Sequence, residues 1–218
     1  MSTVISIPKK GDPTDPNNYR GISLMPVVLK LLLTVLSTRI SKALEERNLF
    51  SPAQAGFRRK EECVTQAACV LEICQRRAIE GWPTYMLFID FAKAYDSVPH
   101  MALFRKLDRI GVRGPILRFI ECLYAQSIFR VRSGDRLSHA QHLQRGLRQG
   151  CPLSPVLFNV YINDFFDGTD TGVLVPMGTK RRGIRPLLDR RIPGCLFADD
   201  CLGLAPDVPS MQRLCSHV

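Results

Sequence analysis

Near its C-terminal end the chain carries two adjacent aspartates inside an otherwise apolar run, Leu196-Phe197-Ala198-Asp199-Asp200-Cys201-Leu202. Few local structures tolerate that arrangement. An ionised aspartate in apolar surroundings is costly without a partner, and a second one beside it adds like-charge repulsion. Side chains on a regular strand alternate faces, so Asp199 and Asp200 can share one region only at a tight turn. The pattern therefore predicts a strand–turn–strand, with 195–198 and 201–205 as its flanks. Earlier in the chain, Thr84-Tyr85-Met86-Leu87-Phe88-Ile89 follows the same plan. It is too short for a good helix and reads as a buried strand running straight into Asp90.

Divalent cations would relieve both penalties, and hard oxygen ligands at strand ends are what Mg²⁺ accepts. Asp90, Asp199 and Asp200 together suggest two-metal phosphoryl transfer, in which one ion activates a hydroxyl and the other steadies a triphosphate. Plainer readings stand beside this one: Asp90 as a cap after a strand, and Asp199-Asp200 as a solvated turn.

Composition narrows the class. With 218 residues, 45% hydrophobic and 23% charged, the chain can build one sizeable core or two small lobes sharing a cleft. Its 30 Lys+Arg against 20 Asp+Glu leave a net charge of +10, which suits a polyanion, whether nucleic acid or anionic membrane. The longest apolar stretch, Val27 to Leu36, is broken by Lys30 and is well short of the ~20 residues that span a bilayer. The N-terminus lacks the plan of a signal peptide. The eight cysteines form no CxxC pair and read as buried thiols of a reducing compartment. The expectation is a soluble intracellular protein with no membrane association, nucleus and cytoplasm being equally open.

Along the chain, Ile5-Ser6-Ile7 reads as a short strand, and residues 8–18 as a loop dense in turn formers. A helix is expected from Ser23, its stripe formed by Leu29, Leu32, Leu33, Leu36, Ile40 and Leu44. A second helix runs over about 63–80 and is stopped by Gly81-Trp82-Pro83, with two shorter ones at about 100–110 and 114–125. Segments 128–132 and 138–144 flank a hairpin turn at Ser133-Gly134-Asp135-Arg136. A further helix should run from Leu153 to about Phe166. Residues 167–192 read as a basic loop containing Lys180, Arg181, Arg182, Arg185, Arg190 and Arg191.

Three segments in this order resemble the palm motifs of reverse transcriptases: Phe88-Ile89-Asp90-Phe91-Ala92-Lys93-Ala94-Tyr95-Asp96-Ser97-Val98, Arg145-Gly146-Leu147-Arg148-Gln149-Gly150-Cys151-Pro152-Leu153-Ser154-Pro155, and Phe197-Ala198-Asp199-Asp200. Upstream, Ile7-Pro8-Lys9-Lys10-Gly11-Asp12, Asn18-Tyr19-Arg20-Gly21-Ile22-Ser23-Leu24 and Gln54-Ala55-Gly56-Phe57-Arg58 resemble the fingers of the non-LTR (LINE-type) retrotransposon enzymes. The resemblance implies an α+β fold, the fingers and palm of a right-hand polymerase, with an antiparallel palm sheet and packed helices. Residues 1–207 would be the reverse transcriptase domain, 1–83 mainly fingers and 84–207 mainly palm, with 208–218 a C-terminal remnant. Only 18 residues follow Asp200, so the expectation is a domain truncated after the third palm motif, with no thumb or endonuclease.

The same resemblance implies roles. Asp90, Asp199 and Asp200 would be catalytic, holding two Mg²⁺ ions (or Mn²⁺) together with the Phe91 carbonyl. Tyr95 would lie under the incoming sugar and exclude a 2′-hydroxyl. Gln149 and Gly150 would border the nucleotide, Arg20 and Lys9 would hold its triphosphate, and Arg58 would touch template or primer. The partners implied are an RNA template, a DNA primer and dNTPs. Two departures from the family pattern are Phe197, where tyrosine is commoner, and Gly21, where proline is frequent. The leading expectation is RNA-directed DNA synthesis. Three alternatives stay open: a catalytically inactive retroelement remnant that binds nucleic acid, an RNA-dependent RNA polymerase, against which Tyr95 argues, and a Mg²⁺ phosphohydrolase, for which no nucleophile is evident.

Overall fold

The structure, a computed structural model, describes residues 1–177 and 191–217. Of the basic loop residues, Lys180, Arg181, Arg182, Arg185 and Arg190 lie outside the described residues. In chain order the elements begin with β1 (Ser2–Pro8), β2 (Tyr19–Leu24), α1 (Val27–Glu46), α2 (Cys63–Ile79), β3 (Tyr85–Asp90), α3 (Ala94–Ser97), α4 (His100–Arg109) and α5 (Pro115–Ala125). They continue with β4 (Ile128–Ser133), β5 (Arg136–Leu137), β6 (Gln141–His142), α6 (Ser154–Tyr161), β7 (Gly194–Phe197), β8 (Asp200–Ala205) and α7 (Val208–His217). No helix among the described residues is long and apolar enough to cross a membrane.

These elements form two compact units, each assembled from two chain segments: Met1–Leu49 with Ala92–Tyr161, and Phe50–Phe91 with Ile162–Val218. Their borders do not follow a sequential division at residue 83, because partners distant in sequence pair within each unit.

In the first unit the strand order is β2-β1-β4-β5, with β6 also on β4. β1 and β2 form an antiparallel hairpin in which Pro8 faces Tyr19 and Ile7 faces Arg20. The helix expected from Ser23 begins only at Val27. Residues 19–24 find hydrogen-bond partners on β1 instead, and Pro26, at the N-cap of α1, holds Met25 out of helical geometry. Leu33, Ile40 and Leu44 turn α1 toward the core, while Leu32 is 51% exposed beside Val28, Leu31 and Val35. The expected stripe is thus narrower by one residue. Beneath it, Leu103 and Leu107 of α4, Ile120 and Tyr124 of α5, and Leu157 and Phe158 of α6 are fully buried.

α6 is shorter than its expected reach to Phe166. The Lys106 ammonium donates to the Tyr161 carbonyl at 2.5 Å, the acceptor a further helical turn would need. Beyond it the chain proceeds through turns, with Phe165 N–H on the Ile162 carbonyl and Asp167 N–H on that of Asp164.

The second unit is built on an antiparallel sheet of order β3-β8-β7. Alternation sends Leu202 and Leu204 to one face, where Leu204 joins Ile73 of α2 with Val173 and Val175. Gly203 points to the other face, where Leu214 of α7 is fully buried against it. Residues 208–217 therefore form a helix packed on the sheet. β3 is an edge strand rather than a buried one: Phe88 is 79% exposed, and Met86 and Tyr85 are exposed too. Only Leu87 and Ile89 turn inward, since one side of an edge strand has no neighbour.

Candidate active site

The register of the second unit's sheet aligns the acidic residues. Asp90, last in β3, is the direct partner of Asp200, first in β8, and Asp200 also faces Phe197, last in β7. Directly opposed residues share a face with Cβ atoms about 4.5–5.5 Å apart. Between Phe197 and Asp200 lies a two-residue turn made of Ala198 and Asp199. The expected strand–turn–strand is present, with Asp199 on the turn and Asp200 already on the strand. All three aspartates are exposed, and none has an ion-pair partner among the described residues.

Like charges directly opposite one another are destabilising, so this end of the sheet favours a cation. Among the described residues no three His, Cys, Asp or Glu side chains are gathered closely enough to enclose an ion. That openness suits Mg²⁺, which keeps several waters and binds through one or two carboxylates plus substrate phosphates rather than in an all-protein cage. By donor type and by register the residues fit such an ion. Phe91 follows Asp90 directly and is anchored edge-on against Phe165, with ring centroids 5.5 Å apart.

The turn itself is unusual. Ala198 has φ of 58°, a left-handed conformation that costs an L-residue about 1–2 kcal/mol. Gln54, 1% exposed, holds it there. Its Oε1 accepts from the N–H groups of Ala198 at 3.0 Å and Gly56 at 2.7 Å, and its Nε2 donates to the Ala198 carbonyl at 3.2 Å. Segment 53–55 pairs alongside β7, with Ala55 N–H on the Leu196 carbonyl (2.9 Å) and Leu196 N–H on that of Ala53 (2.7 Å). A Cβ on Gly56 would lie 2.0 Å from the Ala198 nitrogen, so only glycine permits the approach. Burial pushes the thiol of Cys201, next to Asp200, up to about 12, so it stays protonated and adds no charge. Arg58 donates to the carbonyls of Ser51 (3.2 Å) and Gln54 (2.9 Å) and lies over the Phe50 ring. Its guanidinium thus braces the loop that holds the turn.

The candidate nucleotide-binding residues lie in the first unit. The Tyr95 ring stacks parallel on Phe158, 5.0 Å between centroids, and its carbonyl accepts from Leu147 N–H at 2.7 Å. The loop leading to Gln149 is therefore pinned to α3. Gln149 Nε2 donates to Asp96 at 3.2 Å, and its carbonyl accepts from Ser23 N–H of β2 at 2.8 Å. Gly150 has φ of 95°, and a Cβ there would sit 3.2 Å from the Ser23 carbonyl. Tyr95, Gln149 and Gly150 are thus brought together around α3 and β2. Arg20 is on β2, and Lys9 follows β1 with its N–H on the Asn18 carbonyl; both side chains are exposed.

Sequence reasoning missed what Gln54 does. Its motif was marked by resemblance, but a glutamine among small residues shows no partner until the sheet is built.

Comparisons with known proteins identify the family. A family model described as reverse transcriptase (RNA-dependent DNA polymerase) matches residues 7–218. The chain is similar to the Pol polyprotein of the type-1 retrotransposable element R2 from Popillia japonica, 28% identical over 90% of this chain and 26% of that protein. It is similar to the probable RNA-directed DNA polymerase of transposon BS from Drosophila melanogaster, 27% identical over 75% of this chain and 18% of that protein. The polymerase of mobile element jockey from Drosophila funebris is 26% identical, over 75% of this chain and 18% of that protein. The chain spans about a quarter or less of the length of these curated relatives. Among solved structures, telomerase from Candida albicans, determined with a fragment of telomeric RNA, matches with a TM-score of 0.68 at 12% identity, covering 99% of this chain and 38% of that one. Apo telomerase from Candida tropicalis matches with a TM-score of 0.62 at 11% identity, covering 99% and 45%. The expected polymerase fold and the non-LTR retroelement kinship are both borne out, and the chain belongs to the reverse transcriptase family of RNA-dependent DNA polymerases.

Proposed function

We propose that this chain supplies the template-directed DNA synthesis step of a non-LTR retrotransposon polyprotein, adding dNTPs to a primer 3′-hydroxyl on an RNA template. The observation that carries the reading is the pairing of Asp90 with Asp200 across β3 and β8, with Asp199 on the adjoining turn, in a chain of this family. The three carboxylates and the Phe91 carbonyl would hold two Mg²⁺ ions. When bound, these supply Lewis-acid activation of the 3′-hydroxyl and neutralise charge developing on the phosphates.

The remaining groups bind and orient. Arg20 and Lys9 act as charge-assisted donors to triphosphate oxygens. Tyr95, whose ring stacks on Phe158, would lie under the sugar, where a bulky ring disfavours a 2′-hydroxyl. Gln149 and Gly150 border the nucleotide, Gly150 by letting the backbone pass close. Arg58 supports the turn and, from its place on the loop, offers charge to template or primer.

Primer extension tests this. The chain is incubated with an RNA template, a DNA primer, dNTPs and Mg²⁺, beside an Asp199→Asn variant. The expected result is Mg²⁺-dependent incorporation that falls about a thousandfold or more in the variant, the equivalent of several kcal/mol of transition-state stabilisation. A chain that binds the template–primer without extending it would instead be a non-catalytic nucleic-acid binder. Preference for rNTPs would make it an RNA polymerase.

A further inference from the structure

The turn that carries Asp199 is braced from outside its own hairpin. Ala198 has no side-chain group to stabilise a left-handed backbone, and glycine, the usual residue for that conformation, is absent from the turn. The stabilising contacts come from a segment 144 residues earlier. One buried amide side chain engages both the N–H and the C=O of Ala198, as a neighbouring strand would. The Ala198 carbonyl belongs to the peptide that joins Ala198 to Asp199. Holding that oxygen fixes the plane of the peptide, and with it the N–Cα bond of Asp199 from which the side chain leaves the turn.

We infer that Gln54 is the positioning residue of the candidate active site, orienting the Asp199 side chain at the end of the sheet that carries Asp90 and Asp200, through the Ala198–Asp199 peptide. The inference rests on the reading of these aspartates as a metal site. Its chemistry is specific to glutamine. The side chain must accept from two N–H groups, those of Ala198 and Gly56, and donate to one carbonyl. Methionine fills a similar volume but can do neither. Asparagine lacks the reach. The loop is itself anchored on several sides: Gln66 of α2 donates to the Ala53 carbonyl at 3.1 Å, Ser51 N–H donates to the Asn163 side chain at 2.7 Å, and Arg58 grips the Ser51 and Gln54 carbonyls. So braced, Gln54 acts on the turn as a fixed template.

The test uses the 218-residue chain and Mn²⁺ alone as probe, followed by electron paramagnetic resonance, with circular dichroism as a check on folding. Parent, Gln54→Met and Asp199→Asn are titrated side by side. Outer residues that orient metal ligands typically contribute 10–100-fold in affinity, so Gln54→Met is expected to weaken Mn²⁺ binding by about tenfold or more with its fold intact. In amide exchange, Ala198 N–H should be protected in the parent and lose that protection in Gln54→Met, while the β8 amides keep theirs. If Asp199→Asn weakens Mn²⁺ binding and a folded Gln54→Met does not, the Gln54 inference is overturned and the metal reading survives. If Asp199→Asn binds as the parent does, the metal reading fails and takes the inference with it. Should Gln54→Met not fold, the parent decides. An Ala198 amide as slow as those of β8 upholds the inference, and one exchanging as fast as an unstructured amide overturns it.

Discussion

Arg77, in the last turn of α2, is 3% exposed and has no carboxylate at ion-pair distance among the described residues. A buried charge without a counter-ion survives only when hydrogen bonds satisfy its donors. Here Nε donates to the Thr84 hydroxyl at 2.8 Å, Nη1 to the Leu174 carbonyl at 2.6 Å and Nη2 to the Pro83 carbonyl at 2.6 Å. The guanidinium also lies 5.6 Å from the centre of the Trp82 ring. A planar fork reaches three acceptors in this way, whereas the point charge of a lysine does not. Two of these partners, Pro83 and Thr84, lead directly into β3 and so toward Asp90. Arg77→Met leaves them unpaired and is expected to lower unfolding stability by about 2–4 kcal/mol. Urea denaturation would read this as a lower midpoint at unchanged slope, with Arg77→Lys falling between. An unchanged midpoint would mean the fork carries no structural load.

The β7–β8 hairpin depends on two glycines of different tolerance. A Cβ at Gly194 would sit 2.1 Å from the Leu202 carbonyl oxygen, part of the main chain, while one at Gly203 would sit 2.5 Å from the end of the Leu214 side chain. Main chain cannot step aside without parting the strands; a leucine methyl can rotate. Gly194→Ala should therefore cost more than Gly203→Ala, which belongs in the usual overpacking range of about 1–3 kcal/mol. Thermal unfolding of both variants checks the order, and the reverse order would contradict this packing. The hairpin was legible in the sequence because its signal is local: apolar flanks and an acidic pair that only a turn accommodates. Helices 63–79, 100–109 and 115–125 were legible for the same reason, through period and glycine or proline stops. The exposed face of β3, the early end of α6 and the role of Gln54 were not. Each is decided by a partner far along the chain or by the lack of one. Gln54 and Ala198 are 144 positions apart, and Lys106 and Tyr161 are 55. No window on the sequence contains both halves of such a contact.

Taken whole, the molecule concentrates opposite tendencies. Its net charge is +10, which suits a phosphate backbone, yet one end of the β3–β8–β7 sheet carries three exposed aspartates with no basic partner among the described residues. Such a cluster carries a stability cost unless cations occupy it, as they would in the proposed function. Residues that act as one catalytic unit are strongly non-additive: once one is lost, the others contribute little. The central claim is that Asp90 and Asp199, 109 positions apart in the sequence, belong to a single metal site. The most direct measurement is the rate of single-dNTP incorporation by the parent, Asp90→Asn, Asp199→Asn and the double variant. The account predicts that each single change brings the rate to a common floor and that the double variant is no slower. Losses that multiply in the double variant, or an Asp90→Asn enzyme that retains the parent rate, would contradict it.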